Sequence, residues 1–209
     1  VGNTSLRPEI ANECGIGVAW ADKPPNILDF ISITADAYYN DVKDKIIAFP
    51  STYVWKMQNY GKVQIYGVDL TMATSMPIVE KLNLGISGNY SWQRAMDVTD
   101  SNSKTYKHQL PYTPQHNGNV MATLELPWIS FGYTLNAVGK RYYLAQNIPQ
   151  NVIDGYVEHS ITAWREFKLK KSSIKLQAEV SNLANTQYEV IKYYPMPGRA
   201  WRLVGTIKF

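Results

Sequence analysis

The chain has 209 residues, a formal net charge of +4 and a charged fraction of only 18%. A chain of this length forms at most one sizeable domain, and the lack of a clustered basic block argues against nucleic-acid binding. The single cysteine, Cys14, excludes disulfide scaffolds and cysteine-rich metal sites. The lack of an apolar run of roughly 18 residues excludes a helical membrane protein, but a transmembrane β-barrel stays open because its strands alternate apolar and polar residues.

Apolar and polar side chains alternate along most of the chain, which is typical of β-strands whose two faces meet different environments. Between residues 82 and 92 the apolar side chains occupy even positions, and between residues 129 and 137 they occupy odd positions. The segment 156–168 alternates less regularly and has His159 and Arg165 on its apolar side. We therefore predict nine strands, at residues 14–20, 31–39, 66–73, 82–92, 118–126, 129–137, 156–168, 174–180 and 201–209.

The predicted connections between these strands differ in length. In chain order they cover residues 22–26, 48–52, 77–81, 97–114, 127–128, 142–153, 170–172 and 184–198. Short turns therefore gather at one end of the strands and longer loops at the other, which is the arrangement of outer-membrane barrels. We predict an all-β fold, an antiparallel transmembrane β-barrel. The tripeptide Tyr66–Val68 in the third strand indicates either a small residue where the wall lets another group approach or a β-bulge at Gly67, and we favour the bulge.

Aromatic side chains fall into two groups that match the two ends of the predicted strands. Those near the short turns are Trp20, Phe30, Trp128, Phe131, Phe167 and Phe209, and those near the loops are Tyr39, Tyr66, Trp92, Tyr142, Tyr143 and Trp201. On the last strand, Trp201 and Phe209 are separated by roughly 20 Å along the membrane normal, for a rise of about 3.3 Å per residue and a tilt of about 40°. This separation is comparable to the apolar band of such barrels, which is roughly 25 Å tall.

Charged residues on the polar sides of the strands are expected to line a water-filled interior, because a lysine or arginine at mid-membrane on the lipid side would cost about 2–4 kcal/mol. His159 is an exception on the apolar side, whereas Arg165 lies close enough to a short turn to extend its guanidinium towards water. The expected interior charges are Glu13, Asp36, Asp69, Glu125, Lys175, Glu179, Arg202 and Lys208.

The carboxyl-terminal strand ends on alternating apolar residues and a terminal aromatic residue. Trp201, Leu203, Ile207 and Phe209 carry this pattern, which resembles the last strand of outer-membrane proteins and implies recognition by the barrel-insertion machinery. Nine strands leave two open edges, which cannot persist in lipid. We therefore expect the remaining barrel strands upstream of Val1.

Five segments of the sequence carry a further pattern. They read NTSLRPE, AYYNDVKDKI, QNYGKVQIYGVDL, LPYTPQHNGNV and NLANTQYEVIKYYPMPGRAW. In this order, and over essentially the whole chain, they resemble the carboxyl-terminal part of TonB-dependent outer-membrane receptors. The resemblance implies that residues 1–209 are the last nine strands of a plugged barrel of about 22 strands, whose plug domain and earlier strands are absent from this chain. It also implies energy-coupled import of a scarce, large nutrient, with the iron–siderophore, haem or cobalamin class favoured over glycans.

The same resemblance implies a location in the outer membrane of a Gram-negative cell and no bound cofactor. The expected partners are outer-membrane lipid, the amino-terminal remainder of the barrel with its plug, TonB through a segment of that plug, the barrel-insertion machinery and a surface lipoprotein. Nucleic acid is not an expected partner.

Tyrosine and arginine side chains in the loops are candidates for ligand binding, because they offer ring contact and hydrogen bonds at low entropic cost. The alternative is that each tyrosine belongs to the interfacial belt or packs its own loop. The candidates are Tyr106, His108 and Tyr112 in or beside the loop 97–114, Tyr142, Tyr143 and Gln146 in the loop 142–153, and Tyr188, Tyr193, Tyr194 and Arg199 in or beside the loop 184–198.

The sequence carries no recognisable catalytic or metal-binding pattern. His108, His116 and His159 lack HExxH spacing, and the GxSxG, P-loop and GxGxxG patterns are missing, so we predict neither an enzyme nor a metal site. Two other functions stay open: a passive outer-membrane pore or structural barrel without energy coupling, and a soluble β-sandwich that acts as a binding module. A plug domain upstream distinguishes a receptor from a pore, and a monomer that is soluble without detergent would indicate a sandwich.

Overall fold

Nine long strands form one antiparallel sheet in chain order, so that each long strand pairs with the next one along the sequence. The computed structural model describes residues 3–24, 28–50 and 55–209. Its elements are β1 (Ile10–Asp22), β2 (Phe30–Lys43), β3 (Ile46–Pro50), β4 (Trp55–Asn59), β5 (Val63–Val79), β6 (Leu82–Asp97), β7 (His116–Glu125), β8 (Ser130–Val138), β9 (Arg141–Tyr142), β10 (Val152–Ile153), β11 (Tyr156–Lys168), β12 (Ser173–Ser181), β13 (Glu189–Ile191), β14 (Tyr194–Pro195) and β15 (Ala200–Lys208), with a 3-10 turn at Pro149–Asn151. The nine predicted strands are confirmed as the sheet β1-β2-β5-β6-β7-β8-β11-β12-β15.

The connections between long strands alternate strictly in length, as the sequence predicts. Short connections cover 23–29, 80–81, 126–129 and 169–172, and long connections cover 44–62, 98–115, 139–155 and 182–199. We call the two ends of the sheet the turn end and the loop end. Three of the long connections contain a small hairpin of their own, β3–β4, β9–β10 and β13–β14. Residues 25–27 and 51–54, in the predicted connections 22–26 and 48–52, lie outside the described residues.

The strand register collects the apolar side chains of all nine strands on one face, because a side-chain period of two is carried across each paired strand. One continuous row across eight strands consists of Ile31, Thr74, Ile86, Ala122, Tyr133, Ile161, Val180 and Trp201. The opposite, polar face holds all eight charges that the sequence assigns to the interior. Phe30 lies at the turn end, as predicted, and its cross-strand partner Ser75 places it on the polar face.

The apolar face is exposed instead of being buried against a second layer. Ile16, Trp201 and Leu203 keep 75%, 77% and 85% of their surface accessible. Among the described residues, the buried apolar cluster of Val63, Ala95 and Leu110 lies at the loop end. The part of the chain that the structure describes therefore has no second long sheet of the kind that a β-sandwich requires.

Each outer strand of the sheet, β1 and β15, pairs with a long strand on one side only. The described residues thus form an open wall, and closure into a barrel would need further strands. In the same residues, no helix has the length and apolar character needed to cross a membrane.

The predicted β-bulge at Gly67 is wrong. The ladder passes without interruption through Gly67, which faces Tyr38 on β2 and Gln93 on β6, and the register shift of β5 lies at Pro77 instead. A Cβ atom at Gly67 would approach Tyr38 Oη to 2.6 Å. Glycine is therefore required here because the Tyr38 ring lies over its backbone.

Candidate ligand-binding site at the loop end

Arg141 is a buried cation that joins two long connections at the loop end. Only 3% of its surface is exposed, and its Nη2 atom donates to the carbonyl oxygens of Glu189 (2.6 Å) and Val190 (3.0 Å). Its guanidinium carbon lies 5.8 Å from the centre of the Tyr156 ring, within the range of a cation–π contact. Nη1 is buried without a hydrogen-bond partner among the described residues. Burial lowers the pKa of Arg141, but an arginine stays charged at neutral pH.

Tyr156 and Tyr188 stack where the connection 182–199 folds over the polar face. Their ring centres are 3.9 Å apart and their planes differ by 18°, and the Tyr188 hydroxyl donates to Glu158 Oε2 over 2.7 Å. Burial and this carboxylate both raise the pKa of Tyr188. Tyr156 and Glu158 belong to the polar face of β11, so the stack holds the connection 182–199 against the polar face at the loop end. We call this region, around Arg141, Tyr156 and Tyr188, the mouth.

Tyr112, Tyr143 and Tyr193 bring three long connections together around Arg141. The Tyr112 amide donates to the Tyr142 carbonyl oxygen over 2.7 Å. Burial raises the pKa of Tyr112, and a backbone hydrogen bond from Lys192 and the charge of Arg141 act in the opposite direction. The rings of Tyr143 and Tyr193 meet edge to face at 6.3 Å, and their hydrogen bond raises the pKa of Tyr143.

The side chain of Asn147 holds the connections 98–115 and 139–155 to one another through the backbone of Gln109. The Gln109 backbone N–H donates to Asn147 Oδ1 (2.6 Å), and Asn147 Nδ2 donates to the Gln109 carbonyl oxygen (3.0 Å). His108 supports the same contact, because its Nδ1 accepts the Asn147 amide hydrogen over 3.1 Å. The long connections are thus tied to one another by specific hydrogen bonds between their backbones and side chains.

The residues that the sequence predicts for ligand binding separate into two groups. Tyr112, Tyr143, Tyr188 and Tyr193 converge on the mouth around Arg141. The others make contacts away from Arg141. Tyr106 lies under Lys107, His108 accepts a hydrogen bond from the Asn147 backbone, and Tyr142 pairs with Val152. The Gln146 carbonyl accepts from Asn151, Tyr194 belongs to β14, and Arg199 donates to the Leu183 carbonyl. A ligand-binding role for either group stays a prediction.

The sequence interpretation missed Arg141, Tyr156 and Glu158 as members of this mouth. Tyr156 and Glu158 occupy polar positions of an alternating strand, which by itself indicates only an inward direction. Arg141 gives no local signal, because its burial depends on a connection that begins about 40 residues later in the chain. Within the described ranges, no group of three or more His, Cys, Asp or Glu side chains is placed to hold a metal ion.

The polar face below the mouth carries charges in contact with neighbouring side chains. Arg202 forms an ion pair with Glu179 on the adjacent strand, and Lys175 Nζ lies 5.2 Å from the centre of the Trp164 ring. Such exposed pairs contribute little to stability. They define a polar wall below the tyrosine-lined mouth.

An open antiparallel wall with an exposed apolar face and long connections at one end defines a β-barrel segment of the outer-membrane type. A family model described as TonB dependent receptor-like, beta-barrel, matches residues 1–183. The chain therefore belongs to this family, whose members are outer-membrane transport receptors and not enzymes.

Solved structures of the same family share the fold at low sequence identity. The siderophore receptor PiuA from Acinetobacter baumannii is 20% identical, with a TM-score of 0.69 over 99% of this chain and 29% of its own. The ferric citrate transporter FecA in the unliganded form is 13% identical, with a TM-score of 0.73 over 95% of this chain and 31% of its own. The copper transporter OprC is 16% identical, with a TM-score of 0.69 over 98% of this chain and 32% of its own.

The chain thus spans about a third of the length of these proteins. A comparison with the curated proteins gives no match.

Proposed function

We propose that the intact protein is a TonB-dependent receptor of the Gram-negative outer membrane that imports a scarce, large nutrient, with a ferric siderophore as the favoured class. The names of two similar structures, a siderophore receptor and a ferric citrate transporter, support an iron complex. The copper transporter OprC has the same fold, so fold alone does not select the cargo. Haem and cobalamin complexes are of similar size and stay within the proposal.

The observation that carries this proposal is the mouth around Arg141. Tyr193 is 74% exposed there, and its ring contacts Tyr143. Tyrosine rings give a large ligand extensive contact at low entropic cost, and an arginine attracts carboxylate or phenolate oxygens. Ferric complexes of carboxylate and catecholate siderophores are rigid and anionic, so a mouth of tyrosines around a guanidinium suits them.

Energy coupling and its partners belong to the parts of the protein outside these 209 residues. We expect a plug domain and a segment that contacts TonB there, and the barrel-insertion machinery as the partner during assembly. The exposed apolar face, with Leu203 at 85% accessibility, supports contact with outer-membrane lipid. A surface lipoprotein stays a prediction.

Uptake by cells tests the function directly. A strain without the intact gene, grown under iron limitation, would be supplied with a panel of ferric siderophores, haem and cobalamin, and uptake of the labelled metal would be measured. We expect the intact gene to restore uptake of at least one ferric siderophore, and only in cells that contain TonB. Uptake that continues without TonB would favour the passive pore, and the absence of any uptake across the panel would contradict the proposal.

Variants at the mouth connect that uptake to the observed tyrosines. Tyr143→Ala combined with Tyr193→Ala should lower ligand affinity at least about tenfold, since truncating central aromatic anchors costs about 2 kcal/mol or more. Tyr143→Phe with Tyr193→Phe keeps both rings and serves as the matched control, for which a smaller loss is expected. Outer-membrane abundance should be the same for both pairs. Unchanged affinity in the alanine pair would remove these tyrosines from the site.

A further inference from the structure

The apolar face carries a hollow near the turn end, at strands β11, β12 and β15. Its floor consists of the small residues Ala163, Ala178 and Gly205, and Leu176 and Leu203 stand beside them. The register places all five on the apolar face. The volume of the hollow is about 470 Å³. It is therefore a depression in the apolar face, bordered by the two leucines.

One cationic side chain stands at the edge of this hollow, and two more follow it in the sequence. Arg165 lines it and extends over the Phe167 ring, with its guanidinium carbon 4.8 Å from the ring centre. The chain then enters the short connection 169–172, which contains Lys170 and Lys171. Of the nearby charges, Glu166, Lys168 and Lys208 alternate onto the polar face. On the side of the wall that carries the hollow, the register of these three strands places one charged side chain, Arg165.

This concentration of charge is particular to one short connection. Connection 126–129 contains no charged residue, and connection 80–81 contains Glu80 and Lys81, which balance each other. A general need for solubility at the turn end does not account for such a difference. Positive charge beside an apolar hollow is complementary to an amphiphile with an anionic head and an apolar tail.

We propose that this hollow binds one anionic glycerophospholipid. An acyl chain lies over Ala163, Ala178 and Gly205, and the phosphate is held by Arg165 with help from Lys170 and Lys171. Arginine suits the phosphate because its planar fork can donate two parallel hydrogen bonds. This inference rests on the proposed function, since an outer-membrane receptor directs its short turns to the periplasmic leaflet, which is built of glycerophospholipids.

Native mass spectrometry of the intact receptor tests the proposal. The purified receptor would be incubated in detergent with phosphatidylglycerol or with zwitterionic phosphatidylcholine of the same acyl composition, and bound lipid would be counted. We expect preferential retention of phosphatidylglycerol. Since each basic side chain near such a surface contributes about 1 kcal/mol, Arg165→Gln should weaken that retention about fivefold. Adding Lys170→Gln and Lys171→Gln should weaken it by on the order of a hundredfold.

Two matched controls separate the site from general effects. Lys104→Gln with Lys107→Gln removes positive charge from the connection 98–115 at the opposite end and should leave retention unchanged. Ala178→Leu fills the hollow and should lower retention, whereas Ala122→Leu makes the same change elsewhere on the apolar face and should not. Equal retention of the two lipids, or equal retention by all variants, would overturn the proposal. So would a lipid-free receptor dimer that Ala178→Leu dissociates, because a second copy of the chain would then fill the hollow.

The outcome is distinguishable from a failure of the proposed function. Cell fractionation and TonB-dependent uptake report on the receptor, and lipid retention reports on the hollow. A receptor that is inserted and active but shows no lipid preference would contradict only this inference.

Discussion

Arg141 illustrates how single residues organise the loop end. A guanidinium with 3% exposure is costly to bury unless its hydrogen bonds are replaced, and the carbonyl oxygens of Glu189 and Val190 supply part of that replacement. The Nη1 atom is buried without a hydrogen-bond partner among the described residues. The same residue therefore holds two connections together and places a positive charge beneath the mouth.

The pH at which the Tyr60 hydroxyl ionises reports whether the connection 44–62 is folded. Burial, together with the charge of Asp97, raises the pKa of Tyr60 to about 12, whereas an unfolded tyrosine ionises at about 10. Between these values the unfolded chain loses the proton and the folded chain keeps it, so the free energy of unfolding should fall as pH rises through this window.

Phenolate absorbance of the intact receptor measures this directly. The phenolate absorbance of the wild type minus that of Tyr60→Phe, followed as pH rises, should have its midpoint near pH 12 in the folded state and near pH 10 in denaturant. A folded-state midpoint near pH 10 would mean that Tyr60 is not buried as observed.

Gly67 and Gly85 offer a matched pair of glycines in adjacent strands. A Cβ atom at Gly67 would lie 2.5 Å from the Trp92 carbonyl oxygen and 2.6 Å from Tyr38 Oη, whereas at Gly85 the nearest atom is 3.9 Å away. Gly67→Ala should therefore destabilise the barrel by about 1–3 kcal/mol, and Gly85→Ala should be tolerated. Thermal unfolding of the intact receptor in detergent, followed by the change in gel mobility, compares the two. Equal midpoints would contradict the close contact of Tyr38 with the Gly67 backbone.

At the scale of elements, buried amide side chains order the long connections, together with a small apolar cluster around Leu110. Gln109, Asn151 and Asn182 are 5%, 6% and 2% exposed, and each hydrogen-bonds backbone groups in the connections. Buried polar groups with satisfied partners fix one geometry, because alternatives leave them unpaired. The mouth is therefore expected to be largely formed before a ligand arrives.

Removing the side-chain amide of Asn147 should loosen two connections together. Asn147→Ala deletes both hydrogen bonds to Gln109, and leaving such groups unpaired costs about 1–3 kcal/mol. Hydrogen exchange across 98–115 and 139–155 in the intact receptor should accelerate on the order of tenfold or more. Asn102→Ala, at an exposed position in the first of these connections, is the matched control and should leave exchange in 139–155 unchanged. Acceleration confined to one connection would argue against Asn147 as the link between the two connections.

At the scale of the whole molecule, the sequence predicts the wall better than its mouth. Apolar and polar side chains alternate in Leu82–Asp97 and Ala200–Lys208, because the two faces of the sheet meet different environments. This pattern is local, so the number of strands and the face on which each side chain lies can be predicted from the sequence. The small hairpin β9–β10 pairs two residues with two, which is too short to show a periodicity. The Tyr188–Glu158 bond joins residues 30 positions apart. Such contacts depend on the three-dimensional path of the connections, which no local pattern encodes.

The last strand carries the remaining prediction. Phe209 follows β15 at the end of the chain and is fully exposed, and the alternation of that strand continues its apolar side to this position. If the aromatic residue that follows this strand is read by the barrel-insertion machinery, Phe209→Ala in the intact protein should lower the amount in the outer-membrane fraction severalfold. Lys208→Ala changes the neighbouring residue on the polar face and should not. Quantitative immunoblotting of fractionated cells measures both variants, and a wild-type amount of the Phe209→Ala protein would show that insertion does not depend on this ring.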